Sequence, residues 1–192
     1  MAAAFAQPCD VLVLSAEIPV PVLGAALRRA RADGVRTVLN LAPVPEGAPG
    51  LLAECPGWLV VNAQEAAALA GRPDGAPPQD EVALGRDAAA VLAAGLGGGH
   101  VVVTLGAAGA ALAGPAGTAM MPGFPVTAVD TVGAGDAFVG ALAVALASGL
   151  GPAGAVTAAC AAGAAAATRR GAQAALPRPA DVLAATGFAW PA

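Results

Sequence analysis

The run Asp130-Thr131-Val132-Gly133-Ala134-Gly135-Asp136 holds the residues of this 192-residue chain best suited to chemistry. Gly133 and Gly135 leave backbone N–H groups unshielded, and the apolar run AFVGALAVAL that follows starts a helix at that point. N–H groups at a helix start, reinforced by the macrodipole, attract anions. A carboxylate beside such a site opposes an anion electrostatically. Asp136 therefore either takes a proton from an attacking hydroxyl or simply caps the helix. The residue types alone leave both readings open.

The elements that must position this run alternate between strand and helix. Asp10 to Ser15 (DVLVLS) is a short, continuously apolar run, as in a parallel sheet, and Val35 to Leu41 (VRTVLNL), Trp58 to Val61 (WLVV) and Val101 to Gly106 (VVVTLG) read as further strands. Pro19 and Pro21 sit where a helix can start, Val22 to Asp33 has helical spacing, and Gly34 suits its C-cap. A Pro-rich loop, APVPEGAPG, follows the second strand. After the third comes a short helix ending near Gly71, then a polar linker from Arg72 to Asp80 and a helix through Leu96. A small-residue hairpin, GAAGAALAGPAG, follows the fourth strand, and a last helix begins near Pro179. This order predicts an α/β layered fold with a mostly parallel sheet.

Composition excludes several classes. The nine basic residues are all Arg and scattered, and the net charge is −4, so no basic footprint for nucleic acid is present. Without Lys there is no Walker-type phosphate loop. One histidine, His100, cannot build a Ser-His-Asp triad or a His-based metal site. Cys9, Cys55 and Cys160 are odd in number and far apart, as free thiols in a reducing cytoplasm would be. The start lacks the basic region of a signal peptide. No charge occurs between Asp136 and Arg169, but Ala and Gly dominate there and Ser148 to Pro152 interrupts it. Two buried Ala-rich helices, rather than a membrane span, are expected. A compact Rossmann-like binding protein is disfavoured because no G-x-G-x-x-G follows the first strand.

The full string DTVGAGDAFVGAL resembles the C-terminal signature of the ribokinase and phosphofructokinase-B family of carbohydrate kinases. That resemblance implies a ribokinase-like three-layer α/β sandwich and transfer of the γ-phosphoryl of ATP to a sugar hydroxyl. It implies Asp136 as catalytic base and substrate contact, with Gly133, Ala134, Gly135 and the Asp136 amide forming an anion hole. Such chemistry consists mostly of positioning and charge stabilisation.

Three further segments fall in the family's order. Asn62-Ala63-Gln64-Glu65 resembles its N-x-x-E element, which implies Glu65 acting through water on Mg²⁺ and Asn62 reaching phosphate oxygens. The same spacing is also that of a helix capping box. Val101 to Leu112 resembles the strand and glycine turn under the nucleotide, implying Thr104, Gly106 and Gly109 as ATP contacts; by itself it reads as a plain hairpin. The segment Ala167 to Gln173 resembles the part that encircles a monovalent cation, K⁺. Asp130 and the carbonyls of Val132, Ala166, Arg169 and Gly171 would serve there, although Ala175 stands where many family members offer a hydroxyl. Cys160 falls where the family packs a side chain by the adenine. VLVLSAEIPVPVL and VLNLAPVP look similar to the ribokinase branch, where Glu17 would approach the sugar.

The resemblance runs from about Asp10 to Pro177. The family's Gly-Gly first strand, its G-G-K-G-x-N element and its lid strands are not found, so a single ribokinase-like domain lacking its N-terminal strands and lid is expected over residues 1–192. ATP and a small sugar, with ribose foremost, are the expected ligands. Neither nucleic acid nor membrane is expected as a partner. An oligomer or a complementing N-terminal partner would cover what is missing. The alternative function is a catalytically inactive nucleotide-binding remnant or interaction module.

Overall fold

The computed structural model describes residues 8–71 and 81–190. The expected linker from Arg72 to Asp80 lies outside the described residues. The chain divides into two compact units, Met1–Leu105 with Ala111–Ala119, and Gly106–Ala110 with Met120–Ala192.

The first unit is a parallel sheet with helices between its strands. β1 (Val11–Ser15), β2 (Arg36–Asn40), β3 (Trp58–Asn62) and β4 (His100–Thr104) pair in sequence order, all parallel. α1 (Val20–Ala32), α2 (Ala48–Ala53), α3 (Ala63–Leu69) and α4 (Glu81–Gly95) supply the connections. Parallel neighbours require crossovers, and helices laid on a sheet bury its strands. Trp58, Leu59, Val60 and Val61 of β3 are accordingly all buried. Thr37 is the one polar side chain in this core among the described residues, and its Oγ1 accepts the Gly57 N–H at 2.8 Å. Trp58 and His100, register partners on β3 and β4, stack with ring centroids 4.3 Å apart.

The strand order continues through β5 (Gly109–Gly114) and β6 (Gly117–Pro122). The link from β4 to β5 is too short for a crossover, so the sheet becomes mixed there. Gly109 has φ of +100°, and a Cβ on it would collide with the Met121 carbonyl oxygen. Its glycine is thus demanded by the hairpin.

The second unit contains α5 (Ala134–Ala147), α6 (Pro152–Ala167) and α7 (Pro179–Thr186). α5 and α6 are the two expected Ala-rich helices, separated at Ser148–Gly151. Among the described residues no helix is long and apolar enough to cross a membrane. Ala161, Ala162, Ala165 and Val182 form a core against which Phe124 and Phe188 pack. Gly163 of α6 faces the first turn of α5, where a Cβ would sit 3.3 Å from the Ala134 carbonyl oxygen. Small residues therefore let α6 approach the helix start that carries the Gly-rich run.

Two elements depart from expectation. The Pro-rich loop after β2 contains α2, which has Gly47 as its N-cap at φ 91° and a proline in its first turn. Pro is tolerated there because that N–H has no helical partner. The hairpin's second strand, GTAMMP, extends beyond the small-residue run expected to form it.

Candidate active site

Asp130 organises the Gly-rich run. Its Oδ1 accepts the Val132 N–H and its Oδ2 accepts the Gly171 N–H, both at 3.0 Å. These two donors, Gly171 first, hold its carboxyl below the usual Asp range. The carboxylate thereby ties the run to the turn that follows α6. Gly133 closes against that turn: its φ is +80°, and a Cβ would lie 2.8 Å from the Ala172 carbonyl oxygen. Only glycine satisfies both constraints.

With Gly133 as N-cap of α5, Asp136 stands at the third helical position. The capping role open to it from sequence is not taken, since α5 has no side-chain cap hydrogen bond. The Asp136 side chain is exposed and makes no hydrogen bond among the described residues. Of the four amides expected at the anion hole, that of Ala134 donates to the Thr131 carbonyl at 3.2 Å. Those of Gly133, Gly135 and Asp136 have no protein acceptor among the described residues. Space above Gly135 is open, with nothing within 4 Å of where a Cβ would be. Three free N–H groups thus accompany a free carboxylate on one helix turn. A groove of about 350 Å³ starts at Asp136 and runs past Gly140, Ala141, Val144, Leu176 and Trp190.

The remaining residues of the expected cation site lie around the same turn. The Ala166 carbonyl accepts the Arg169 N–H at 3.1 Å, and Gly171 has φ of +93°. Ala175, in place of a hydroxyl, is fully buried. The Arg169 side chain is paired with Asp181 at 2.6 Å, joining the end of α6 to α7. Cys160 is buried in α6 and its thiol is pushed up to about 12, so it is a neutral packing group there.

In the first unit the structure realises the capping box. Asn62 Oδ1 accepts the Glu65 N–H at 2.9 Å, and Glu65 Oε2 accepts the Asn62 N–H at 2.8 Å. Register sets Thr104 beside Asn62, and Thr104 Oγ1 reaches the Val61 carbonyl at 3.4 Å. Glu17 lies exposed on the turn after β1. Sequence reasoning missed the carboxylate staple of Asp130, although an Asp two residues before an amide is an ordinary Asx-turn signal.

The first unit is thus a parallel α/β sheet, and the second carries a helix start with free amides, which attract anions, and a free carboxylate, which can accept a proton. The pfkB family carbohydrate kinase model matches residues 2–179, and the chain belongs to that family. The bifunctional ribokinase/ribose-5-phosphate isomerase A of Fructilactobacillus sanfranciscensis is 36% identical over 134 residues, covering 70% of this chain and 24% of that protein. The ribokinase structure from Thermotoga maritima superposes with a TM-score of 0.76 at 32% identity, covering 91% of this chain and 56% of that one. Aminoimidazole riboside kinase from Salmonella enterica, complexed with aminoimidazole riboside and an ATP analogue, gives 0.73 at 28% identity, with 91% and 61% covered. The chain thus spans little more than half the length of these structural relatives.

Proposed function

We propose that this chain carries the nucleotide-binding and proton-accepting part of an ATP-dependent sugar kinase, with ribose as the leading acceptor. The carrying observation is the free Asp136 carboxylate on the same helix turn as the unpartnered amides of Gly133, Gly135 and Asp136. Asp136 takes the proton of the attacking hydroxyl, and the amides stabilise the negative charge that grows on the transferred phosphoryl group. Thr104, Gly106 and Gly109 belong to the nucleotide, with Cys160 packing by the adenine. Asn62 turns its side-chain amide toward phosphate oxygens while its carbonyl keeps α3 capped. Mg²⁺ neutralises phosphate charge when bound, and Glu65 Oε1, which the capping box leaves unused, is the oxygen for a water of that ion. Asp130 with the carbonyls of Val132, Ala166, Arg169 and Gly171 would hold K⁺. The single family match over residues 2–179 supports reading both units as one ribokinase-like domain, and the free Cys9, Cys55 and Cys160 suit a reducing cytoplasm.

A second reading has its own observation. In this reading the residues given, which cover 56% of the Thermotoga ribokinase, act by themselves as a nucleotide-binding module with little turnover. Thermal denaturation with MgATP tests both. A saturating nucleotide at ~100 Kd adds about 2.7 kcal/mol, and Gly135→Val removes the shift by filling the open space above the amides. A folded sample with no shift at millimolar MgATP ends both readings. A shift without ribose-dependent ADP release favours the module, and adding the family's N-terminal segment should then restore turnover.

A further inference from the structure

β1 stands at one end of the strand order, with β2 as its one lateral neighbour among the described residues. Successive residues of a strand direct their backbone groups to opposite sides. The Ala16 N–H donates to the Asn40 carbonyl at 3.0 Å, which assigns Ala16, and with it Leu14 and Leu12, to the β2 side. The N–H and C=O groups of Val11, Val13 and Ser15 therefore point outward along the open edge. Edge strands are ordinarily guarded by a charge, a proline or a bulge. β1, VLVLS, has no charge and no proline, and its register with β2 runs unbroken from Val11 opposite Arg36 to Ser15 opposite Asn40. The opposite edge differs, since β6 begins on Gly117 and ends on Pro122.

Apolar exposure gathers at the same place. Val13 is 43% exposed, Ile18 41% and Val22 40%; they are three of the four large apolar side chains that the first unit exposes among the described residues. Glu17 is the only charge between Asp10 and Arg28. The strand is also its own complement. In antiparallel pairing about a two-fold axis at Val13, every outward residue meets an outward residue: Val13 meets its copy, and Val11 meets Ser15. Leu12 then lies opposite Leu14, an apolar cross-strand pair. Asp10 faces Ala16 and Glu17 faces Cys9, so no acid opposes an acid. In-register parallel pairing would instead set Asp10 beside Asp10 and Glu17 beside Glu17, like charges that repel.

We infer that this chain associates as a two-fold dimer in which β1 pairs antiparallel with β1 of a second copy, joining two sheets into one. The axis stands perpendicular to the sheet, so α1 of both copies lies on the same face, with Ile18 and Val22 at its start. Pairing consumes both open β1 edges, so association through this surface stops at two. The dimer does not depend on the kinase reading.

Sedimentation velocity of the full chain, from about 1 μM to about 1 mM, should show a reversible monomer–dimer equilibrium. Val13→Pro removes an N–H that β2 does not use, so the sheet keeps its ladder while both hydrogen bonds on the axis are lost. The dimer should weaken at least about tenfold. Val13→Lys keeps the backbone bonds but sets two ammonium groups opposite each other, and should weaken it comparably. Circular dichroism checks that each variant folds. For the geometry, Val13→Cys in a chain also carrying Cys9→Ser and Cys55→Ser should give a covalent dimer on mild oxidation, because directly opposed Cα atoms about 5.5 Å apart are within disulfide reach. Val91→Cys in the same background, exposed on α4, should not. A monomer at every concentration overturns the dimer, as does a dimer undisturbed by Val13→Lys in a folded sample. Growth beyond two, or cross-linking at position 91 as readily as at 13, overturns it as well.

Discussion

At the scale of single residues, the helix start of α5 separates positioning from chemistry. Asp130 spends both carboxylate oxygens on backbone amides, whereas Asp136, six residues later, spends neither. Two aspartates in one short run thus differ in their surroundings, one held by the backbone through both oxygens and one exposed and unpaired among the described residues. In a turnover-competent form, Asp136→Asn should lower kcat by about 10²–10⁴-fold. Affinity for MgATP should stay level or rise, since a negative charge leaves the phosphate site. Steady-state kinetics alongside nucleotide titration reads both quantities, and near-normal kcat in the variant would remove Asp136 from the role of base. The sequence already displayed the run and its glycines. It did not display the staple, because that depends on a long-range contact with Gly171 that residue types do not reveal.

At the scale of elements, the stacked Trp58–His100 pair links β3 to β4 in the first unit. Burial lowers the His100 pKa below its ordinary 6.5. The folded chain therefore resists a proton that the unfolded chain accepts. The stability this gives is complete above about 6.5, the unfolded value, and declines as pH falls from there toward the lowered folded value. His100 is the chain's single histidine, so between neutrality and pH 5.5 no other side chain has its ordinary pKa in the window. Denaturation midpoints should fall over that range, and His100→Gln should flatten the profile; an identical slope in the variant would refute the assignment. The strands and most helices were legible because apolar stretches mark them and Gly or Pro punctuates their ends. α2 was not, because Pro45, Gly47 and Pro49 read as loop until their positions relative to the helix start are known. β6 was hidden by exposure, since its pattern carries little burial to mark a strand. The N-x-x-E spacing supported two meanings, and the structure shows the capping box while leaving one Glu65 oxygen for the other.

At the scale of the whole molecule, the family match and the fold agree with what the motif order foretold, while the span of just over half of the structural relatives sets the terms on which activity must be tested. The material of the core has a separate consequence. Of the ten buried residues in α6, eight are alanine, and the neighbouring α5 buries Ala137 and Ala145 beside its larger side chains. An alanine surrenders no rotamer freedom on folding, so such a core is ordered at low entropic cost. It also hides little hydrocarbon per residue, and hydrocarbon hydration is what makes the heat capacity of unfolding large. The total calorimetric heat-capacity increment of this chain should therefore fall below the usual ~12–15 cal/mol/K per residue, and a value at the upper end of that range would contradict the point. With a small increment the stability curve is shallow. A protein built this way gives up little of its margin as temperature moves in either direction, holding its fold across a broad thermal range with a modest maximum.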